Sequence, residues 1–176
     1  MPTAFVLAPG PSMSQALADR VRGLGFVVAV GNAYELAPWA DALVANDLTW
    51  WKEHPEATKF TGRKFCTKTL SGTERHRGKG VSSDANSGML GIDVAVEVFK
   101  ASPVYLLGFD FHGTHFFGPY KNGCSNTSPT SREKHKRQMK SWRMLHPRAN
   151  VVNCTPGSAL KVFPVGELDL ELQRAA

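Results

Sequence analysis

Short apolar runs, each stopped by glycine, proline, asparagine or aspartate, alternate with segments of helical period along this chain. Ala4-Phe5-Val6-Leu7-Ala8 is such a run and ends at Pro9-Gly10-Pro11, which predicts a buried strand. Ser12-Met13-Ser14-Gln15 fits a capping box with Ser12 as N-cap, and Leu17, Val21 and Leu24 then repeat at helical spacing up to Gly25. Phe26–Val30 predicts a second strand ending at Gly31-Asn32, and Ala42–Ala45 a third ending at Asn46-Asp47. A brief helix carrying Trp50 and Trp51 follows and should stop before Pro55. Lys59–Thr67 alternates loosely and reads as a further strand. Ser71–Ser83 is glycine-rich and basic, hence a loop.

Asn86-Ser87-Gly88 opens the clearest helix. From Met89 to Phe99 nearly every position is apolar except Asp93 and Glu97, which are expected to share one narrow exposed face. Pro103–Leu107 predicts the next strand, with Gly108-Phe109-Asp110-Phe111-His112-Gly113 leaving its carboxyl end. Thr114–Ser131 has no periodicity, and so long a stretch inside a compact domain suggests a functional lid at about 112–131. Thr130-Ser131-Arg132-Glu133 reads as a second capping box, starting a helix to about Leu145. Asn150–Asn153 is a final short strand, before Thr155-Pro156-Gly157-Ser158 and an acidic tail. Strands alternating with helices predict an α/β, Rossmann-like fold with a mostly parallel open sheet and helices on both faces. No repeat or linker interrupts the chain, so residues 1–176 read as one nucleotide-binding domain.

Composition narrows the classes. No apolar run approaches the ~18 residues of a membrane span. No basic segment precedes the first strand, so no signal peptide is read and a cytoplasmic location is expected. The three cysteines, Cys66, Cys124 and Cys154, are odd in number and widely spaced, which argues against zinc and a disulfide framework. The formal charge of +6 is concentrated in two segments. One holds Lys59, Arg63, Lys64, Lys68, Arg75, Arg77 and Lys79; the other holds Arg132, Lys134, Lys136, Arg137, Lys140, Arg143 and Arg148. Together they could form one field for a polyanion, nucleic acid included, or remain two solvated faces.

Ligands of open parallel sheets bind outside the carboxyl ends of the strands. The residues expected there are Pro9–Ser12, Gly31-Asn32, Asn46-Asp47, Gly108–His112 and Asn153–Ser158. Gly10, Pro11 and Ser12 would let backbone amides approach a phosphate at a helix start, although a capped turn accounts for the same residues equally well. Asn32 could read a ribose or base edge, or simply form the turn after a glycine. Asp47 could hold a ribose hydroxyl or magnesium, or cap the tryptophan helix. Ser87 and Gly88 place a hydroxyl and a bare backbone at a helix start, able to grip an anion or merely to cap. Asp110 lies between two phenylalanines, where a carboxylate must find partners. His135 falls in the stripe with Met139 and Trp142 and should face the body of the protein, biased toward the neutral form that a general base requires. His112 and His115 belong to the same loop region; no metal site is assigned.

Ser83-Asp84-Ala85-Asn86-Ser87-Gly88, the Met89–Phe99 helix and Val104-Tyr105-Leu106-Leu107-Gly108-Phe109-Asp110-Phe111 form an ordered set. With Gly10-Pro11-Ser12 and Asn32, it resembles the bacterial lipooligosaccharide sialyltransferases. The archaeal-type hydroxymethylpterin diphosphokinases have a related core, and the likeness covers about two thirds of the chain by position. It implies a nucleotide across the strand ends, with Gly10, Pro11 and Ser12 by the phosphate and Asn32, Ser87 and Gly88 near the nucleotide. It also implies a glycosyltransferase using a nucleotide-sugar donor of the CMP type, with His135 as general base; Asp110 is expected to join it in catalysis from its own place just past a strand end. The lid is short and holds one tyrosine, Tyr120, where those transferases use a pair on the leaving phosphate. The chain is smaller than usual members of either family, like the shortened members found in phage genomes. The alternatives are an ATP- and magnesium-dependent diphosphokinase using Asp47 and Asp110, and a nucleotide-binding module without catalysis.

Overall fold

A computed structural model describes residues 1–175. Its centre is a seven-stranded sheet in the order β5-β4-β3-β2-β1-β6-β7. The strands are β1 (Ala4–Leu7), β2 (Phe26–Val30), β3 (Ala42–Val44), β4 (Arg63–Cys66), β5 (Glu74–Arg75), β6 (Val104–Leu107) and β7 (Val151–Asn153). Every pairing is parallel, so the sheet is wholly rather than mostly parallel. The helices are α1 (Gln15–Val21), α2 (Leu48–Glu53), α3 (Ser87–Asp93), α4 (Pro129–Leu145) and α5 (Leu168–Ala175). No helix among the described residues is long and apolar enough to cross a membrane.

Strand side chains alternate between two cores, as the pleat requires. Ala4, Val6, Val28, Val30, Val44 and Leu106 face α3 and α4 through Met89, Leu90, Ile92, Met139 and Trp142. Phe5, Leu7, Val27, Ala29, Leu43 and Leu107 face Ala18 and Val21 of α1, Trp50 and Trp51 of α2, and Leu168 of α5. Helices therefore cover both faces, the arrangement that buries a parallel sheet. The chain builds outward from β1 through β2, β3 and β4, then returns to place β6 on the other side of β1. That reversal opens a crevice at the carboxyl ends of β1 and β6.

Several local expectations are corrected. The cap of α1 is Ser14, whose hydroxyl accepts from the Leu17 amide, and Ser12 is left for another partner. The left-handed residue after α1 is Gly23 rather than Gly25, and Leu24 is exposed; Ala18 and Val21 are the buried residues of the helix. The cap of α4 is Ser128, with Pro129 in the first turn, so that helix starts ahead of Thr130. The basic loop contains the short strand β5, and the acidic tail forms α5.

The largest correction concerns Asp93. It is 0% exposed, because Trp142 of α4 and His76 of the basic loop close over it. The helix changes there from α3 into a π turn over Val94–Val98. Such a widened turn shifts the faces that an even helical wheel would assign.

Candidate functional site

The loops after β1 and β6 remain joined beyond their strands. Ala8 N–H donates to Leu107 C=O at 2.8 Å and Gly10 N–H to Gly108 C=O at 3.1 Å. A Cβ on Gly10 would lie 2.1 Å from Asp110 Oδ2 and 2.2 Å from Gly108 O, so only glycine lets these backbones close. Ser12 completes the seam, its hydroxyl donating to Asp110 Oδ2 at 2.8 Å and its amide at 3.3 Å. Asp110 is 2% exposed and its own carbonyl accepts from Ala159 N–H at 2.8 Å. The residue after it, Phe111, has a positive φ of 58° in a non-glycine side chain. That is a costly backbone state, held here where the strand end turns into the cleft.

This seam changes the reading of the Pro9–Met13 turn. The two prolines have no amide hydrogen, and the others are taken: Gly10 by Gly108, Ser12 by Asp110 and Met13 by Gly10 C=O at 3.0 Å. The turn offers no free N–H for a phosphate, and the Asp110 carboxylate beside it repels an anion. Pro9 and Gly10 line the cleft, whereas Pro11 packs near Gly113 of the lid and Ser12 stays on the seam.

The cleft has two adjoining lobes. The larger, about 1170 Å³ of empty space including its open mouth, lies over the carboxyl ends of β1 and β6 and is walled by Gly31, Trp50, Asp110, His112, His115 and Tyr120. Its neighbour, about 830 Å³ on the same measure, is polar and includes Asn46, Lys68, Asp84 and Ser131. Asp47, Asn86, Ser87 and His135 border both. Gly88 lines the larger lobe, and a Cβ there would sit 3.0 Å from Phe109 and 3.2 Å from Met139. Its lack of side chain brings the start of α3 onto the cleft floor.

The start of α3 supplies what the Pro9–Met13 turn lacks. Asn86 is the cap and its side chain accepts from the Met89 amide at 2.9 Å. The Ser87 hydroxyl accepts from Asn46 N–H at 2.9 Å, which fixes the end of β3 against the helix. The Ser87 and Gly88 amides belong to the first turn, whose N–H groups have no partner within the helix. They carry the positive end of a helical run that continues through Val98.

His135 is half-buried on α4 and borders both lobes, as its stripe with buried Met139 and Trp142 predicts. Burial lowers its pKa below the ordinary histidine value, and the Lys134 ammonium adds in the same direction. His115 is also lowered, mainly by burial. His115 stacks on Phe117 at 4.8 Å and lies 4.7 Å from the Tyr120 ring, making an aromatic wall in the lid. His112 is exposed at the cleft mouth.

Asn32 does not face the cleft. It is 5% exposed, and Oδ1 accepts from Trp50 Nε1 at 2.8 Å and from the Tyr120 hydroxyl at 2.9 Å. Its amide donates to Glu35 at 2.6 Å and to His54 Nε2 at 3.1 Å. With both ends engaged it reads no base edge; it anchors Trp50 and the lid residue Tyr120 from behind. Burial raises the Tyr120 pKa well above its ordinary value, so the phenol remains a donor. Asp47 is exposed and caps α2 through the Thr49 amide at 2.9 Å. Among the described residues no three histidine, cysteine, aspartate or glutamate side chains cluster as a metal site.

Three residues to which the sequence assigned no individual role also shape the cleft. Asn46, buried at the end of β3, joins Thr67 of the β4 end to the Ser83 and Ala85 carbonyls. Lys68 donates to the Asn46 carbonyl at 2.6 Å and brings a cation to the polar lobe. Arg132 ties α4 to the Gly113 carbonyl of the lid. Position after a strand signalled Asn46, but the contacts of Lys68 and Arg132 depend on segments distant in sequence. No family model matches the chain, and no curated protein matches it.

Proposed function

We propose that this protein is a nucleotide-dependent transferase, with a nucleotide sugar as donor and His135 as general base. The carrying observation is the position of His135 at the border of both lobes, with burial favouring its neutral form. In this reading the nucleoside occupies the larger lobe against Trp50 and the Tyr120–His115 wall. Its phosphate meets the Ser87 and Gly88 amides, which favour negative charge. Gly10, Pro11 and Ser12 shape the rigid wall rather than bind the phosphate.

The acceptor hydroxyl enters from the polar lobe. His135 takes its proton while the acceptor oxygen bonds to the anomeric carbon and the sugar–phosphate C–O bond breaks. The electron pair leaves with the nucleotide phosphate, where the α3 terminus stabilises it. CMP is the favoured nucleotide, on the resemblance set out above.

A magnesium-dependent diphosphokinase finds weaker support. Asp110 Oδ2 is occupied by Ser12, and Asp47 is engaged by the Thr49 amide. The test is a thermal-shift panel of CMP, UDP, ADP, ATP and GTP, each with and without magnesium. One nucleotide at a hundredfold excess over its dissociation constant should stabilise the fold by about 2.7 kcal/mol. His135→Ala should retain that shift and lose transfer; no shift with any nucleotide overturns the reading.

A further inference from the structure

The two basic segments, distant in sequence, meet on one surface. Leu145 of α4 packs at Gly80, where an added Cβ would lie 2.6 Å from Leu145 Cδ1. Lys134 pairs with Asp84 at 3.0 Å, and the Gln138 amide donates to the Asp84 carbonyl at 3.1 Å. Gln138 also accepts from the Asn86 amide at 3.1 Å. Beneath these contacts Asp93 receives His76 Nε2 at 2.6 Å and Trp142 Nε1 at 2.6 Å, one buried carboxylate tying the loop to α4. Gly78 must be glycine at this tie, since a Cβ would stand 1.9 Å from Asp93 Oδ2.

The result is a braced ridge and not a loose basic loop. Helical geometry of ~100° per residue puts Lys134, Gln138 and Leu145 on the face toward the loop, with Arg137 at its outer edge. Arg77 is exposed and donates to Thr67 C=O at 3.0 Å, beside Lys68 at the polar lobe. Lys79 and Arg137 are exposed, and neither they nor Arg77 and Lys68 have an acidic partner among the described residues. The acids nearest in sequence are neutralised within the surface: Glu74 by Arg63, Asp84 by Lys134 and Glu133 by Lys136.

We propose that this ridge binds the phosphodiester backbone of single-stranded nucleic acid, with one end of the strand entering the polar lobe. The guanidinium groups of Arg77 and Arg137 suit phosphate oxygens, and Lys68 and Lys79 add compact positive charge. The polar lobe at the end of the ridge accommodates a terminal nucleotide and excludes a duplex. No phenylalanine, tyrosine or tryptophan adjoins the four cations in sequence, and the His76 ring is held inward by Asp93, so binding is expected to be electrostatic and tolerant of sequence. This surface stands whether or not the transfer reading holds.

The test is fluorescence anisotropy of a labelled mixed-sequence DNA oligonucleotide of about 20 nucleotides, titrated across salt concentrations with the whole chain. Four contacts should give a slope of log K against log salt near −2.8, at ~0.7 per contact for single strands. Lys79→Gln combined with Arg137→Gln should reduce the slope by about 1.4 and weaken binding about 25-fold at 0.1 M salt. Arg22→Gln, beyond α1 on the other face of the sheet, should leave both unchanged. Circular dichroism melts of each variant verify that the fold persists. Absence of binding by the unmodified chain, an unchanged slope in the double variant, an equal loss in Arg22→Gln, or tighter binding of the matching duplex would each overturn the proposal.

Discussion

Replacing Asp93 by alanine tests whether one buried carboxylate holds the basic loop to α4. The substitution removes the acceptor for Trp142 Nε1 and the partner of His76 Nε2, both at 2.6 Å. It also leaves a void in a fully buried position. Each hydrogen bond to a charged group contributes ~1.5–3 kcal/mol, and breaking a buried charged cluster costs ~3–5 kcal/mol. A loss of about 4 kcal/mol is therefore expected, a large share of the ~5–15 kcal/mol that stabilises a typical domain. With a urea m-value of ~2 kcal/mol/M, the midpoint should fall by about 2 M. Asp93→Asn keeps the shape and an acceptor for Trp142, so its loss should be about half as large. Hydrogen exchange gives a local reading, because the Val81 and Ala85 amides are bonded within the loop to Gly78 and Ser82 carbonyls. Both should exchange faster in the alanine variant. A midpoint shift below about 0.5 M at unchanged m would refute the reasoning, placing the tie in the ~0–1 kcal/mol range of surface pairs.

Gly10→Ala forces a Cβ to within 2.1 Å of Asp110 Oδ2, and the resulting shift of the seam should cost ~1–3 kcal/mol, read as a Tm lower by ~2–4 °C per kcal/mol. Tyr120→Phe removes the hydroxyl bond to Asn32 at 2.9 Å; about 1 kcal/mol of lost tethering should raise exchange in the lid roughly fivefold by mass spectrometry while the global melt barely moves. For His135 the neutral imidazole is the active base, so turnover should persist below the ordinary histidine value and fall only as pH descends through its lowered pKa. An acidic limb with its midpoint above pH 6.5 in the pH–rate profile would contradict that assignment. Asp84 is held down to about 2, first by the Ser82 hydroxyl and then by Lys134. Its folded value lies below its unfolded one, so its contribution is present above the ordinary carboxylate range and lost as pH falls toward 2; a carboxyl NMR titration with a midpoint near 4 would contradict this.

The strands were legible because parallel strands buried on both faces read as continuous apolar runs, and all of those expected from Ala4, Phe26, Ala42 and Pro103 appear within a residue or so. Convergence of Gly10, Asp47, Ser87, Gly88, Asp110 and His135 on one cleft was legible for the same reason, since strand order decides which loops meet. Capping was misassigned at both α1 and α4 because Ser12 and Ser14, or Ser128 and Thr130, satisfy the same composition rule. Tertiary contacts chose between them: Asp110 claims Ser12, and Pro129 fits the first turn of α4. Asn32 and Asp93 were misread for a common cause. Each is a polar residue in an apolar setting whose partners come from other segments, and a one-dimensional pattern contains no information about those partners.

The cleft therefore combines walls of different stiffness. Along β1 and β6 the glycines, the paired amides and the Ser12–Asp110 bonds leave no slack, so that wall cannot adapt to a ligand without breaking protein contacts. The opposite wall is the lid, held by fewer ties: Tyr120 to Asn32, Phe116 N–H to Pro9 C=O at 3.1 Å, and Arg132 to Gly113. A segment with few tethers opens at lower free energy than the sheet it covers. Ligand entry should thus proceed by movement of the lid against a fixed floor. Since Tyr120 is bonded to Asn32 and Asn32 in turn to Trp50, opening would also release a constraint on the aromatic wall of the larger lobe. A ligand stacked in that lobe and the Tyr120 tether would then stabilise the same closed arrangement. Their effects on lid exchange should be coupled, with ligand protection of the lid smaller in Tyr120→Phe than in the unmodified chain.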